Sequence, residues 1–499
     1  MYRPETDWLA RWALYTPDRR FLRDHAGDRE WSFGRAHARV DGVARWLHDD
    51  LGLTRGDRLA VLSTNRIETV FLFLACQREG VILVPLNFRL TAPEIEHLVH
   101  DAEPGALLVE DALREVVATI EGGPAVRGID TVSPLLFDGE PEPARPTGDP
   151  ADLDDAVMIL YTAGTTGVPK GALVTHRMLL WNAINTGLRL AITERDHTQS
   201  YAPFFHTGGW NVLFTPFLLH GASHTVLSGF DPDLVLELME RERTTLLFGV
   251  PTMLQMMAES ERFDGADLES VRYAIVGGAP MPLPLIDQWH AKGVHIRQGY
   301  GLTEVGPNCY SLNEEDAMRK RGSIGRPNFF LDVRIVAEDG RDCETDEVGE
   351  LWLRGETVTP GYWRNPEATK SAITEDGWFR TGDLVRQDDE GFTYVVDRKK
   401  NMFISGGENV YPAEVERVLG QHEAVRDVAV IGVPDQRWGE VGHAFVEVHS
   451  GHDFDLEALR AFCDGKLARY KIPRHVSVIE AIPRNAAGKV DTAALRDLA

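Results

Sequence analysis

Basic charge, cysteine and long apolar runs are all scarce in this chain of 499 residues. Lysine and arginine number 52 against 77 aspartates and glutamates, for a formal net charge of −25. That balance argues against a nucleic-acid-binding surface or a basic membrane-binding face. Any polyanion must be held by local donors rather than by a global field. The four cysteines, Cys76, Cys309, Cys343 and Cys463, are scattered without a Cys-x-x-Cys, so neither a disulfide framework nor a zinc site is indicated. No apolar run reaches membrane length; the one at 70–76 breaks at Gln77-Arg78-Glu79. The opening residues, Met1-Tyr2-Arg3-Pro4, lack the apolar stretch of a secretory leader, and the expected compartment is the reducing cytoplasm. There is no internal repeat and no low-complexity tract.

What is present is ample material for more than one core: 43% of the residues are hydrophobic. The early chain reads as α/β, with strands over 58–63 and 80–86 flanking a helix over 68–76, a pattern that favours a parallel sheet. Residues 136–152 carry Pro141, Pro143, Pro146 and Pro150 and read as a loop. Helices are predicted over 178–190 and 232–242, and strands over 156–160, 245–250 and 273–276. From 334 to 396, short strands between Gly, Asp and Asn turns predict a β-rich barrel or sheet. Beyond the charged run Asp397-Arg398-Lys399-Lys400-Asn401 lies a compact α+β segment, with helices over 412–419 and 456–467 and strands over 428–433 and 444–448. The domain boundary is placed at that run.

The strand at 156–160 feeds Tyr161-Thr162-Ala163-Gly164-Thr165-Thr166-Gly167-Val168-Pro169-Lys170-Gly171. Glycines let backbone N–H groups turn toward an anion, hydroxyls donate further hydrogen bonds and the lysine adds a point charge, so the composition suits a polyphosphate. It is not a Walker A loop, because no Gly-Lys-Ser/Thr closes it. Alone it reads equally well as a solvated turn. Two more glycine-rich strand ends follow, Gly277-Gly278-Ala279-Pro280 and Gln298-Gly299-Tyr300-Gly301-Leu302-Thr303-Glu304. Then come Trp378-Phe379-Arg380-Thr381-Gly382-Asp383, the charged run, Ile404-Ser405-Gly406-Gly407-Glu408-Asn409, and Pro483-Arg484-Asn485-Ala486-Ala487-Gly488-Lys489.

In this order and spacing the motifs resemble the adenylate-forming superfamily: acyl-CoA and aryl-CoA synthetases, luciferases and the adenylation domains of peptide synthetases. The resemblance runs from about Phe33-Gly34 to Lys489. It implies a large N-terminal domain, 1–397, of two stacked α/β subdomains plus a β-rich barrel-like subdomain. A hinge at 398–401 would join it to a mobile α+β C-terminal domain, 402–499. Thr162, Gly164, Thr165, Thr166, Gly167 and Lys170 match the family's clamp on the ATP phosphates. Ala163 departs from the usual serine and removes one donor. Tyr300 would stack on adenine, with Gly301 beside it and Gly277, Gly278, Ala279 and Pro280 along the adenine edge. Thr303 would touch the α-phosphate. Glu304, with Thr166, would hold Mg2+, which favours carboxylate oxygen and keeps several waters. Asp383 and Arg398 match the ribose-binding pair, and Lys400 the hinge. Gly406 and Gly407 match the loop that lines the pantetheine path of coenzyme A. Lys489 would stabilise charge at the pentavalent phosphorus.

The implied reaction joins a carboxylic acid to coenzyme A through an acyl-adenylate, with ATP as co-substrate and release of AMP and pyrophosphate. His206, after Phe204-Phe205 and before a glycine pair, would gate the acyl pocket. That pocket is expected to draw on Trp210, Asn211, Gly277 and Leu302, and the bulk of Trp210 favours a short, branched or aromatic acid. Two rival readings are an adenylating ligase that passes the acyl group to a carrier protein or amine, and a catalytically silent nucleotide-binding relative. Coenzyme A is preferred because the loop at 406–409 resembles the CoA ligases and no carrier domain follows Ala499. The silent relative is disfavoured by Lys170, Glu304, Asp383 and Lys489. Expected partners are small molecules, with a homodimer left open and no integral membrane segment.

Overall fold

The apolar runs fold as sheets whose faces are covered by helices. The computed structural model describes residues 3–139, 150–162, 169–279, 281–399, 401–405, 408–464, 466–467, 469–485 and 488–499. It divides into two compact units, one of residues 1–332 and 353–379, the other of residues 333–352 and 380–499. These divisions lie within the β-rich region, upstream of the charged run at which the sequence places its boundary.

The first unit contains three sheets. In the six-stranded one, Ala125–Gly128, Ala106–Val109, Arg58–Leu62, Ile82–Leu86 and Ala156–Thr162 run parallel, and Lys170–Thr175 closes the edge antiparallel to Ala156–Thr162. The helix Ile67–Glu79 joins two of these strands and is buried along its whole length. Burial on every side explains why its sequence lacks a polar face. Gly80 ends it in the left-handed region at φ 71° and donates its N–H to Cys76. The second sheet sets Leu246–Gly249, Tyr273–Val276 and His295–Leu302 parallel, with Gly306–Ser311 and Arg326–Pro327 antiparallel beyond them. The third is mixed and orders Arg29–Ser32, Arg20–Asp24, Ser223–Val226 and His197–Ser200. An α/β fold with parallel sheets is therefore what the strand–helix–strand pattern predicts.

Two local features differ from expectation. The strand Lys170–Thr175 is unforeseen; it pairs antiparallel with Ala156–Thr162, with Thr162 opposite Lys170. The region read as β-rich also holds the helix Pro366–Ala372, started by Asn365 accepting the Ala368 N–H at 2.9 Å, with Pro366 at the first helical position.

In the second unit, Asp332–Val336, Gly349–Arg354, Phe379–Gln387 and Thr393–Arg398 form one sheet. A second, of Glu408–Val410, Phe403–Ser405, Gly439–Val448 and Val425–Asp435 with His475–Val478 beside Gly439–Val448, carries the helices Pro412–Leu419 and Leu456–Cys463. Glu416, on the first of these helices, accepts the Val430 N–H at 2.8 Å. Burial raises its carboxyl from 4.5 to about 8; Val430 opposes the shift, and Asp397 and Asp427 add to it. Because the folded-state value is raised, the group's contribution to stability is full below pH 4.5 and is lost as pH rises toward 8. Glu416→Gln, which cannot ionise, is expected to gain in melting temperature over the parent between pH 5 and pH 8, by about several degrees. Calorimetric melts at the two pH values check this, and a pH-independent difference would exclude it.

Candidate active site

Glu304 is the point at which the first unit's motifs meet. The strand His295–Leu302 runs into the 3-10 turn Thr303–Val305 and returns as Gly306–Ser311. That hairpin puts Tyr300, Leu302, Thr303 and Glu304 at the carboxyl end of a parallel strand, where ligands gather in open α/β sheets. A Cβ at Gly301 would overlap the Pro307 backbone. The return strand alone therefore requires glycine there, apart from any approach of an adenine. The Tyr300 ring is half-buried and lies edge-on to Tyr310 at 6.0 Å. Gly277, Gly278 and Ala279 follow the adjacent strand Tyr273–Val276, and Gly278 takes φ +82°, a left-handed conformation that favours glycine. Pro280 lies outside the described residues.

The Glu304 carboxylate is 8% exposed. Its Oε1 accepts two hydroxyls, Thr162 Oγ1 at 3.1 Å and the Tyr362 phenol at 3.1 Å. Among the described residues Oε2 has no hydrogen-bond partner and no cation pairs with the group. Thr162 and Lys170 are cross-strand neighbours, so both ends of the glycine-rich stretch are fixed by one hairpin register. Lys170 Nζ lies 5.4 Å from the centre of the Tyr362 ring. Ala163, Gly164, Thr165, Thr166 and Gly167 fall outside the described residues. No group of three or more His, Cys, Asp or Glu gathers as a metal cluster among the described residues. A lone, oriented carboxylate fits Mg2+, which takes one or two carboxylates and fills its octahedron with water and substrate phosphate oxygens. Tyr362 is the residue the sequence reading missed: nothing local to Gly361-Tyr362 signals a partner 58 residues earlier.

On the acyl side, His206 precedes the helix Thr207–Asn211, is half-buried and lies 4.5 Å from the Phe205 ring, which meets Phe88 edge-on at 5.3 Å. Gly208 abuts the Phe248 ring. Trp210 and Asn211, expected to line the acyl pocket, are both buried. Trp210 has no exposed surface, stacks on Phe204 at 4.2 Å, meets Phe73 at 4.7 Å and donates its indole N–H to the Phe204 carbonyl. The Asn211 amide donates to Thr207 Oγ1 at 3.1 Å and accepts from Thr215 Oγ1 at 3.0 Å. Thr207 opens the helix Thr207–Asn211 and Thr215 lies on the next helix, Phe214–His220, so the amide's hydrogen bonds join the two.

In the second unit, Asp383 and Arg398 face each other in the antiparallel pair Phe379–Gln387 and Thr393–Arg398, and the Arg398 guanidinium pairs with the buried Asp383 carboxylate. Asp397, the next residue back, accepts the N–H groups of Arg398 and Ala413 and the Asn401 amide, yet burial raises its carboxyl above the ordinary value. Lys489 sits on a tight hairpin. Arg484 bridges to Val490, Asn485 N donates to the Lys489 carbonyl at 2.8 Å, and Asn485 Oδ1 accepts the Lys489 N–H at 3.1 Å. Arg484 also donates to the Gly488 carbonyl and pairs with Asp427 at 2.6 Å, which ties the hairpin to the strand Val425–Asp435. Lys489 is exposed. Lys400, Gly406 and Gly407 lie outside the described residues.

Fold and site together define an enzyme that handles a nucleotide polyphosphate beside an oriented carboxylate. Comparison with known proteins carries this further. A family model described as AMP-binding enzyme matches residues 9–363, and one described as AMP-binding enzyme C-terminal domain matches residues 414–489. The chain belongs to the AMP-binding enzyme family. It is 40% identical over 486 residues to a feruloyl-CoA synthase from an Amycolatopsis species, covering 97% of this chain and 96% of that protein. It is similar to the o-succinylbenzoate CoA synthetase of Bacillus subtilis solved with its acyl-adenylate intermediate, at TM-score 0.88 and 33% identity, covering 99% and 98% of the two chains. The structure of that synthetase with ATP and a magnesium ion matches at TM-score 0.86 and 34% identity, covering 97% and 98%. By class the chain is an AMP-forming acid–thiol ligase that uses ATP, Mg2+ and coenzyme A. No helix among the described residues is long and apolar enough to cross a membrane.

Trp210→Ala is expected to destabilise the protein by about 3–5 kcal/mol, the usual cost of emptying an aromatic core position. Denaturant unfolding checks it. A loss below about 1 kcal/mol would return Trp210 to the list of pocket walls.

Proposed function

We propose that this ligase adenylates an aromatic carboxylic acid and transfers the acyl group to coenzyme A, and that the residues matched to the family motifs do the work. The observation that carries the reading is the Glu304 carboxylate, nearly buried, oriented by two hydroxyls through one oxygen and, among the described residues, without a cation partner. The aromatic preference is supported by Phe88, Phe205, His206 and Phe248 around the helix Thr207–Asn211. A reducing, cytoplasmic setting is supported by four unpaired thiols, three of them buried.

In the first step the substrate carboxylate, ionised at neutral pH with a pKa of about 4, attacks the ATP α-phosphorus. The bond to pyrophosphate breaks and an acyl-adenylate forms. The barrier is the meeting of two anions. Lys170, with Gly164, Thr165, Thr166 and Gly167, holds the leaving phosphates. Thr303 contacts the α-phosphate, Tyr300 stacks on the base beside Gly278 and Gly301, and Asp383 with Arg398 receives the ribose. Glu304 with Thr166 would hold Mg2+, which would supply positive charge to the phosphate oxygens. Lys489 stabilises charge that builds at the phosphorus, an electrostatic role with no proton transfer. In the second step a thiolate of coenzyme A attacks the acyl carbon and AMP departs; a thiol of pKa about 8.5 is already partly ionised. The segment 398–401 with Lys400 is the hinge between the two steps, residues 402–499 move as the C-terminal domain, and Gly406-Gly407 line the thiol's path. His206 gates the acyl pocket.

Pyrophosphate release across a panel of aromatic, branched and fatty acids, with and without coenzyme A, tests the reading. Aromatic acids should lead, with thioester formed only when coenzyme A is supplied; acyl transfer to hydroxylamine alone would instead favour an adenylating ligase with another acceptor. Lys489→Ala should lower acyl-adenylate formation by about 100-fold or more, as loss of a transition-state charge contact does, while supplied acyl-adenylate still reacts with coenzyme A. Unchanged adenylation would remove Lys489 from the mechanism.

A further inference from the structure

Tyr362 joins three parts of the first unit that are far apart in sequence. Its backbone bridges Ala172, on the strand that leaves the glycine-rich stretch. The flanking residues continue that edge: Leu173 N donates to the Gly361 carbonyl at 3.1 Å and Trp363 N to the Gly171 carbonyl at 2.7 Å. Two residues before Gly361, Thr359 N donates to the Glu304 carbonyl at 2.7 Å, and Thr359 Oγ1 donates to the Leu173 carbonyl at 2.7 Å. The segment 359–363 is thus pinned both to the strand after the phosphate stretch and to the turn that carries Glu304. Its one side chain in contact with both is Tyr362. The ring face takes Lys170 Nζ at 5.4 Å, and the phenol donates to Glu304 Oε1 at 3.1 Å.

We propose that Tyr362 is a positioning residue for both ends of the Mg–ATP site. Its hydroxyl, with that of Thr162, fixes Glu304 through Oε1 and leaves Oε2 for the metal, while its ring holds Lys170 beside the phosphates and apart from the carboxylate. The inference rests on the reading of Glu304 as the magnesium carboxylate. Among the described residues no ion pair joins Lys170 to Glu304; the Thr162 hydroxyl lies within reach of both the Lys170 carbonyl at 3.4 Å and Glu304 Oε1 at 3.1 Å. An aromatic ring between an ammonium and a carboxylate attracts the first through its face and binds the second through its hydroxyl. It stops the two from neutralising each other before the nucleotide arrives.

Two substitutions separate the two contacts. Tyr362→Phe keeps the ring and removes the hydroxyl; Tyr362→Leu removes both. ATP binding is measured by calorimetry without any carboxylic acid, so no turnover occurs, once with Mg2+ and once with EDTA. In Tyr362→Phe the gain in affinity conferred by Mg2+ should shrink about tenfold, the loss expected for one hydrogen bond to a charged group, while affinity in EDTA stays at the parent value. In Tyr362→Leu affinity in EDTA should fall severalfold as well. A parent-like Mg2+ gain in Tyr362→Phe overturns the Glu304 contact, and identical behaviour of Phe and Leu variants overturns the Lys170 contact. Should Tyr362→Phe fail to fold, Thr162→Val removes the other hydroxyl from the same oxygen, and its Mg2+ gain should shrink likewise. If the parent protein itself gains nothing from Mg2+, it is the magnesium reading of Glu304 that fails, not the geometry of Tyr362.

Discussion

A carboxylate taken almost out of water without a cation beside it is the constraint on which the first unit's site depends. Isolated burial of a charge is costly, and hydrogen bonds lower that cost only in part. At Glu304 the two hydroxyls act on one oxygen. A surface pair with a lysine or arginine would have been the ordinary solution in a chain with 52 of them. On the proposed magnesium reading, the arrangement instead leaves the site electrically incomplete until a cation with its own oxygen-rich ligand enters. That is the property a Mg–nucleotide site needs, and it follows from side-chain placement without a dedicated metal cage.

The second unit handles its buried carboxylate the other way. Asp383 is paired with Arg398 across an antiparallel register, and both residues match the family's ribose contacts. A carboxylate oriented by an arginine suits a neutral diol that brings hydrogen-bond donors and no charge. The contrast between Glu304 and Asp383 is thus one of ligand charge. The carboxylate proposed for a cation is held by neutral donors, and the one proposed for hydroxyls is held by a cation.

Much of this was legible in the sequence because it is local. Strand-length apolar runs such as 156–160 and the helix Pro412–Leu419 are written in consecutive residues, and so are the motifs themselves. What was not legible is direction and distance. Trp210 and Asn211 follow a glycine pair in a promising position, but only packing shows that the indole stacks on Phe204 and that the amide binds Thr207 and Thr215. Gly301 looked like a ligand glycine, yet its lack of a Cβ is required by the return of its own hairpin past Pro307. Tyr362 lies in a stretch read as short strands and turns, 58 residues from Glu304, and no periodicity in one chain can pair them.

The net charge of −25 makes the last of these placements intelligible. An acidic protein cannot attract a polyphosphate through its overall field. Its phosphate site must rely on donors fixed at short range, and any lysine there is at risk of capture by a nearby carboxylate. Lys170 and Glu304 flank one aromatic ring yet do not form an ion pair. A direct bridge between them would have to be broken, and both groups rehydrated or rebound, each time a nucleotide enters. Holding the ammonium by a ring face is weaker than an ion pair in a dry setting, and that weakness keeps the lysine available. The spacer therefore exchanges some stability of the empty site for readiness of both charges, which is preorganisation achieved by keeping opposite charges apart.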